Sequence, residues 1–341
     1  MRLLAAILLL TGLGPIGCRA KKPEPEGINP KTGVEQGAAL GISAPEAKGE
    51  ARSPALATKP RETQPERPVA RWALWPMPNF AASGLPNPES YDASVPGTVR
   101  DLVTGLMWQK VVDPGNVSFD DANDRCDRLD LAGYHDWRLP SRIELVSIID
   151  LAEGQPAIDR SAFPGTPSEW FWTSSPSAAS PTDAWYVYFY FGYPKTDARR
   201  SHFRARCVRT DRAPAFAGSP DTHYELAAAT VRDLGTGLTW QRELPTRTFA
   251  FDAAQAYCAH LALDGHKDWR VPSMPELVTL VDERASNPAI DTTAFPGTPS
   301  ESFWTSSGFG NKSAEAWHVY FDYGSALYGL HKGAYRVRCV R

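Results

Sequence analysis

Histidine, methionine and cysteine are scarce in this chain of 341 residues: seven, four and five respectively. The seven histidines form no H-x-x-x-H pair, and no two cysteines stand in C-x-x-C spacing. The common zinc and thioredoxin-like sites are thereby excluded. No Gly-x-Ser-x-Gly elbow and no glycine-rich phosphate loop is present, so two frequent catalytic signatures are missing as well. Charge of either sign is not in excess. The formal net charge of −3 supplies no global field for nucleic acid or an anionic membrane. Long apolar runs are also lacking. The run Leu3–Leu10 is too short to cross a bilayer as a mature helix.

What the chain does have, it has twice. Residues 136–175 and 268–307 are offset by 132 positions and identical at 26 of 40. The same offset relates residues 99–110 to 231–242, Cys126 to Cys258, Trp185 to Trp317 and Cys207 to Cys339. A period above 100 residues is too long for a solenoid and implies tandem domains, each with its own core. The 11 Trp, 12 Tyr and 14 Phe concentrate in these repeats and supply apolar area for two small cores. Four segments follow: an export signal over 1–17, a proline-rich linker over 18–90, and repeats over 91–212 and 223–341.

Arg2 followed by the apolar run reads as the export signal. Gly17-Cys18 resembles the lipobox of bacterial lipoproteins, with Pro15 where leucine is usual. Acylation of Cys18 would account for the odd fifth thiol; cleavage after Ala20 is the alternative. Residues 19–90 carry 12 prolines and no apolar periodicity. They read as a disordered spacer, with Trp72 and Trp75 near its end expected to pack on the first repeat.

Within each repeat, two short strands flank a T-G turn at 98–109. Ser118 is placed to cap a helix in which Phe119, Ala122, Cys126 and Leu129 share a face. Ser141-x-x-Glu144, kept as Ser273-x-x-Glu276, forms a capping box for a second helix. Strands are expected near 171–174, 184–191 and 204–209. Cys126 and Cys207, like Cys258 and Cys339, stand 81 residues apart. Paired, widely spaced cysteines behind an export signal read as disulfides. Bridges within each repeat are expected, although the sequence also permits bridges between repeats.

The ordered set T-G-L-x-W-Q, D-W-R-x-P-S, F-W-T-S-S, A-W-x-V-x-F and R-C-V-R, present twice, resembles the Lcl C-terminal domain family. The resemblance implies exported bacterial proteins. It also implies an α+β fold: C-type-lectin-like modules, each with two short helices and a small, mainly antiparallel sheet, related to formylglycine-generating-enzyme domains. The adhesin that names the family binds sulfated glycosaminoglycans and carries a collagen-like Gly-x-y stretch, which this chain lacks.

The implied function is binding of an anionic polysaccharide or an envelope protein, on a lipid-anchored protein at the bacterial cell envelope. An enzyme related to the formylglycine-generating fold, or a purely structural envelope protein, are the alternatives. No cofactor, metal or nucleic acid is expected. Asp136, Glu144, Asp150 and Asp159 recur in the second repeat. They could in principle ligate calcium, but helix-capping and turn roles suit them better. The repeated tryptophans read as core. Function is expected where the copies differ, above all in the segment 190–203, read as a variable surface loop. There Tyr190, Tyr193, Lys195, Arg199 and Arg200 combine rings with cations, and His331 and Lys332 are the second repeat's contribution. Such groups suit sulfated or uronic sugars.

Overall fold

Ser118 opens the first helix as its spacing dictates. In the computed structural model, which describes residues 71–210, 223–310 and 312–341, its hydroxyl accepts the Asp121 N–H and α1 runs over Phe119–Asp127. The face of Phe119, Ala122 and Cys126 is buried. The shorter α2, Arg142–Val146, starts from the Ser141–Glu144 capping box and is buried throughout. The second repeat forms α3, Phe251–Ala259, and α4, Met274–Val278, the latter from the Ser273–Glu276 box. The export signal, Cys18 and the linker up to residue 70 lie outside the described residues.

Each repeat adds two antiparallel sheets. In the first, β1 (Tyr91–Asp92), β2 (Thr98–Asp101), β3 (Leu106–Gln109) and β7 (Val208–Thr210) make one, in the order β1-β2-β3-β7. The other joins β4 (Trp170–Pro176), β5 (Asp183–Tyr188) and β6 (Tyr193–Ala198). In the second repeat, β8 (Tyr224–Leu226), β9 (Thr230–Asp233) and β10 (Thr239–Gln241) form the first sheet. Val340 bridges Trp240 where β7 would stand. The second sheet there joins β11 (Ser302–Phe309), β12 (Lys312–Tyr320) and β13 (Ser325–Leu330). The chain is thus two α+β modules in tandem.

Disulfides Cys126–Cys207 and Cys258–Cys339 close each module from its first helix to its last strand region. A loop of 81 residues corresponds to about 4–5 kcal/mol in the chain-entropy model. The tryptophans of the repeated stretch, Trp108, Trp137, Trp172, Trp185 and their counterparts, are all buried. Arg206 and Arg338 are buried too, as fixed cross-links. The Arg206 guanidinium donates to the Gln109 and Lys110 carbonyls and to Thr166 Oγ1. Burial lowers both guanidinium groups to about 9. Arg204 pairs with Glu169, and Arg336 with Glu301.

The modules do not keep separate cores. Each has its own cluster around the disulfide, but a third cluster runs through both, from Ile143 and Phe171 to Leu277 and Phe303. Tyr193 of β6 packs on Trp317 of β12, and Phe191 on Phe309 and Tyr328. Gly192, in the β5–β6 turn, has φ +80°, and a Cβ there would meet Ile149 at 2.7 Å. The turn therefore requires glycine at that site.

Two sequence expectations change. Residues 71–90, read as linker, are placed against the modules, and 72–79 hold buried positions. Trp72 lies on His223 and Tyr224 of the second module, not on the first. Trp75 and Met77 enter the shared core. Arg71 pairs with Asp282, and Asn79 Nδ2 donates to Glu276 Oε1 at 3.3 Å. Burial of Trp72, Trp75 and Met77 opposes the entropy cost of ordering this proline-rich segment. The second change is that the expected loop 190–203 contains β6, which pairs along its whole length with β5.

Candidate functional site

Sheet β4-β5-β6 presents one face outward at its upper end. Register places Trp170 opposite Tyr188, and Tyr188 opposite Tyr193. Cross-strand partners project to the same side. The Trp170 and Tyr188 rings stack at 5.0 Å with 10° between planes, and Tyr190 stacks on Tyr188 at 5.7 Å and 15°. Tyr193 meets Tyr188 edge-on. Trp170 is 39% exposed, unusual for a tryptophan in a chain where the others are buried. Below this strip the same face is covered: Phe203 lies on Trp172 and Tyr186.

The second module does not repeat the strip. Ser302, Asp322, Ser325 and Leu327 stand where the first has Trp170, Tyr190, Tyr193 and Lys195. Tyr320, the counterpart of Tyr188, meets Tyr323 edge-on. The strip is therefore a property of the first module.

The structure brings together three of the expected ligand residues: Tyr190, Tyr193 and Lys195. Lys195 is exposed on β6, paired in register with Tyr186. Tyr193 is half-buried because its ring also contacts Trp317 across the module boundary. Arg199 stands apart. Its guanidinium covers the Phe119 ring at 4.8 Å, and its carbonyl accepts the Phe119 N–H. His331 does the same in the second module, stacked on Phe251 at 4.1 Å while its carbonyl accepts the Phe251 N–H. Both residues close the first turn of a helix. Arg200 and Lys332 are exposed at matching turns. Trp170 belongs to the strip as well, although no periodicity or motif marks it. Its signal was the single change from SESFWTSS to SEWFWTSS inside an otherwise repeated block.

The four repeated acids serve the fold. Asp136 pairs with Arg209, and Glu144 closes its capping box while pairing with Arg138. Asp150 and Asp159 cap turns at Ala152 and Ser161.

A second feature lies at the module boundary. A cavity of about 260 Å³ is lined by Ser177, Trp185, Lys195, Thr196, Glu283 and Tyr323, among others. Behind it Arg142 Nε lies 3.7 Å from Glu283 Oε2, with side-chain exposures of 1% and 5%. Arg142 Nη2 donates to the Val281 carbonyl at 3.0 Å. Burial holds the Glu283 carboxyl above its ordinary range, against the opposing pull of Arg142.

Fold and site together define a pair of disulfide-closed α+β modules that carry one exposed aromatic strip. The chain belongs to the Lcl C-terminal domain family, whose model matches residues 97–209 and again 229–341. No curated protein matches the chain in sequence.

Proposed function

We propose that the protein is an exported, lipid-anchored envelope protein whose first module binds an anionic polysaccharide. The observation that carries this reading is the Trp170–Tyr188–Tyr190 stack. The stack presents a partly exposed apolar edge against which sugar rings can pack, and exposed Lys195 on the same strand system supplies charge complementarity. The second module supports the first through the shared core and adds exposed Lys332. Disulfides in both modules suit an oxidising compartment outside the cytoplasm. Bridged cysteines also favour binding over formylglycine-type chemistry, which needs reactive thiols. Acylation of Cys18 would hold the modules at the membrane.

A glycan array probed with the protein tests the binding. Polymers bearing uronate or sulfate should lead neutral ones. A blank array, or one led by neutral glycans, overturns the reading. Mass spectrometry of the mature N-terminus tests the anchor: lipid on Cys18 supports it, and an unmodified chain starting at Lys21 rejects it.

A further inference from the structure

Duplication places two clefts at the module boundary, one beside Trp185 and one beside Trp317, and they have diverged. Beside Trp317 the cleft is filled. Phe309 and Tyr328 stack at 3.9 Å, and Phe191 packs on both. At the corresponding positions beside Trp185 stand Ser177, Thr196 and Tyr323. Two large rings have become two small hydroxyl residues, and the space they leave is the cavity of about 260 Å³.

The floor has diverged in the same sense. Arg142 and Glu283 occupy positions where the other cleft has Met274 and Leu151. Met274 is fully buried and Leu151 nearly so, in the shared core. A buried ion pair is a poor way to gain stability, because desolvation offsets the attraction and apolar residues of similar volume do as well or better. Here it is also under-satisfied. Arg142 Nε and Nη1 and Glu283 Oε2 have no hydrogen-bond partner among the described residues. Glu283 also lines the cavity, at a stability cost that the equivalent cleft avoids, so its carboxylate is placed to accept from a ligand that enters there.

We infer that this cavity binds one polyhydroxylated, singly anionic molecule of monosaccharide size, a sugar acid. Glu283 accepts a ligand hydroxyl at the floor, and the hydroxyls of Ser177, Thr196 and Tyr323 complete a polar lining. The indole of Trp185 forms its apolar wall. Arg142 cancels the charge of Glu283, so Lys195 is the lining group whose charge is left uncompensated, and it selects an anion over a cation. This site shares Lys195 with the aromatic strip, but its other lining residues are distinct from the strip and it does not depend on polymer binding there.

Isothermal titration of the protein with D-glucuronate, D-glucose and D-glucosamine tests the inference. Saturable binding of glucuronate is expected, with glucose weaker by about tenfold for want of one charge-assisted contact. Ser177→Phe with Thr196→Tyr rebuilds the filled cleft of the second module. It should lose glucuronate binding by at least about tenfold, while its retention on heparin stays that of wild type. Lys195→Leu, a surface change that keeps the fold, should bring glucuronate down to the level of glucose. No saturable binding by wild type overturns the inference. So does a filled variant that binds as wild type, or glucosamine binding as tightly as glucuronate.

Discussion

Arg142 in the first module and Glu283 in the second form an ion pair, 3.7 Å apart and almost wholly buried, across the module boundary. Their counterparts, Met274 and Leu151, are apolar. Glu283→Ala leaves a buried guanidinium uncompensated and should cost about 3–5 kcal/mol. Arg142→Met combined with Glu283→Leu removes both charges and should be neutral, or stabilising by about 1–4 kcal/mol. Urea unfolding of wild type and the two variants checks the pattern. A double variant less stable than Glu283→Ala would contradict it.

The disulfides bear on cooperativity. Replacing Cys126 and Cys207 with serine should cost about 2–5 kcal/mol. Because one apolar cluster runs through both modules, the loss should lower a single melting transition. Calorimetry that resolves one module melting well before the other would show the shared core to be energetically minor.

Glu89 links the 71–90 segment to pH. Burial first, then the neighbouring Asp150, raises its carboxyl from 4.5 to about 8. The folded state thus prefers the neutral acid. The stabilisation is fully present below 4.5 and is lost as pH rises through about 8. Glu89→Gln mimics the neutral form, so its melting temperature should exceed that of wild type near pH 8 and match it near pH 4.5. Equal slopes of melting temperature against pH for the two proteins would reject the assignment.

Much of this was legible before the fold was seen. The 132-residue offset, the Ser118 cap, the two capping boxes and the equal cysteine separations are local or periodic signals, and the structure realises each. Strand β6 was not legible. Its sequence YPKTDA holds a proline, tolerated because β6 is an edge strand, and lacks apolar alternation. Residues 71–90 were hidden by their prolines, since Trp72, Trp75 and Met77 show no period and gain meaning only against the modules. Arg199 and His331 looked like surface cations because nothing local reveals the rings beneath them, Phe119 and Phe251. Trp170 carries no periodic signal, because the strip arises from a single difference between two otherwise repeated blocks.

Arg199 separates support from contact. Arg199→Ala uncovers Phe119 and should lower the melting temperature while leaving polysaccharide affinity largely intact. Arg200→Ala, at an exposed turn, should leave the melting temperature unchanged. Thermal shift and heparin retention, measured on both variants, check this. A loss of retention in Arg199→Ala without any loss of stability would place that guanidinium in the binding surface instead.

The aromatic strip is the centre of the functional account, and its direct test is elution from immobilised heparin at low salt. Wild type should be retained and released as salt screens the contact, over a Debye length of about 8 Å at physiological ionic strength. Trp170→Ala with Tyr190→Ala removes the exposed Trp170 ring and the half-buried Tyr190 ring, worth about 1 kcal/mol each, so affinity should fall roughly tenfold or more. Earlier elution of the double variant, still folded at the temperature of the column, is the predicted result. Co-elution with wild type, or a wild type that passes through unretained, would contradict the account.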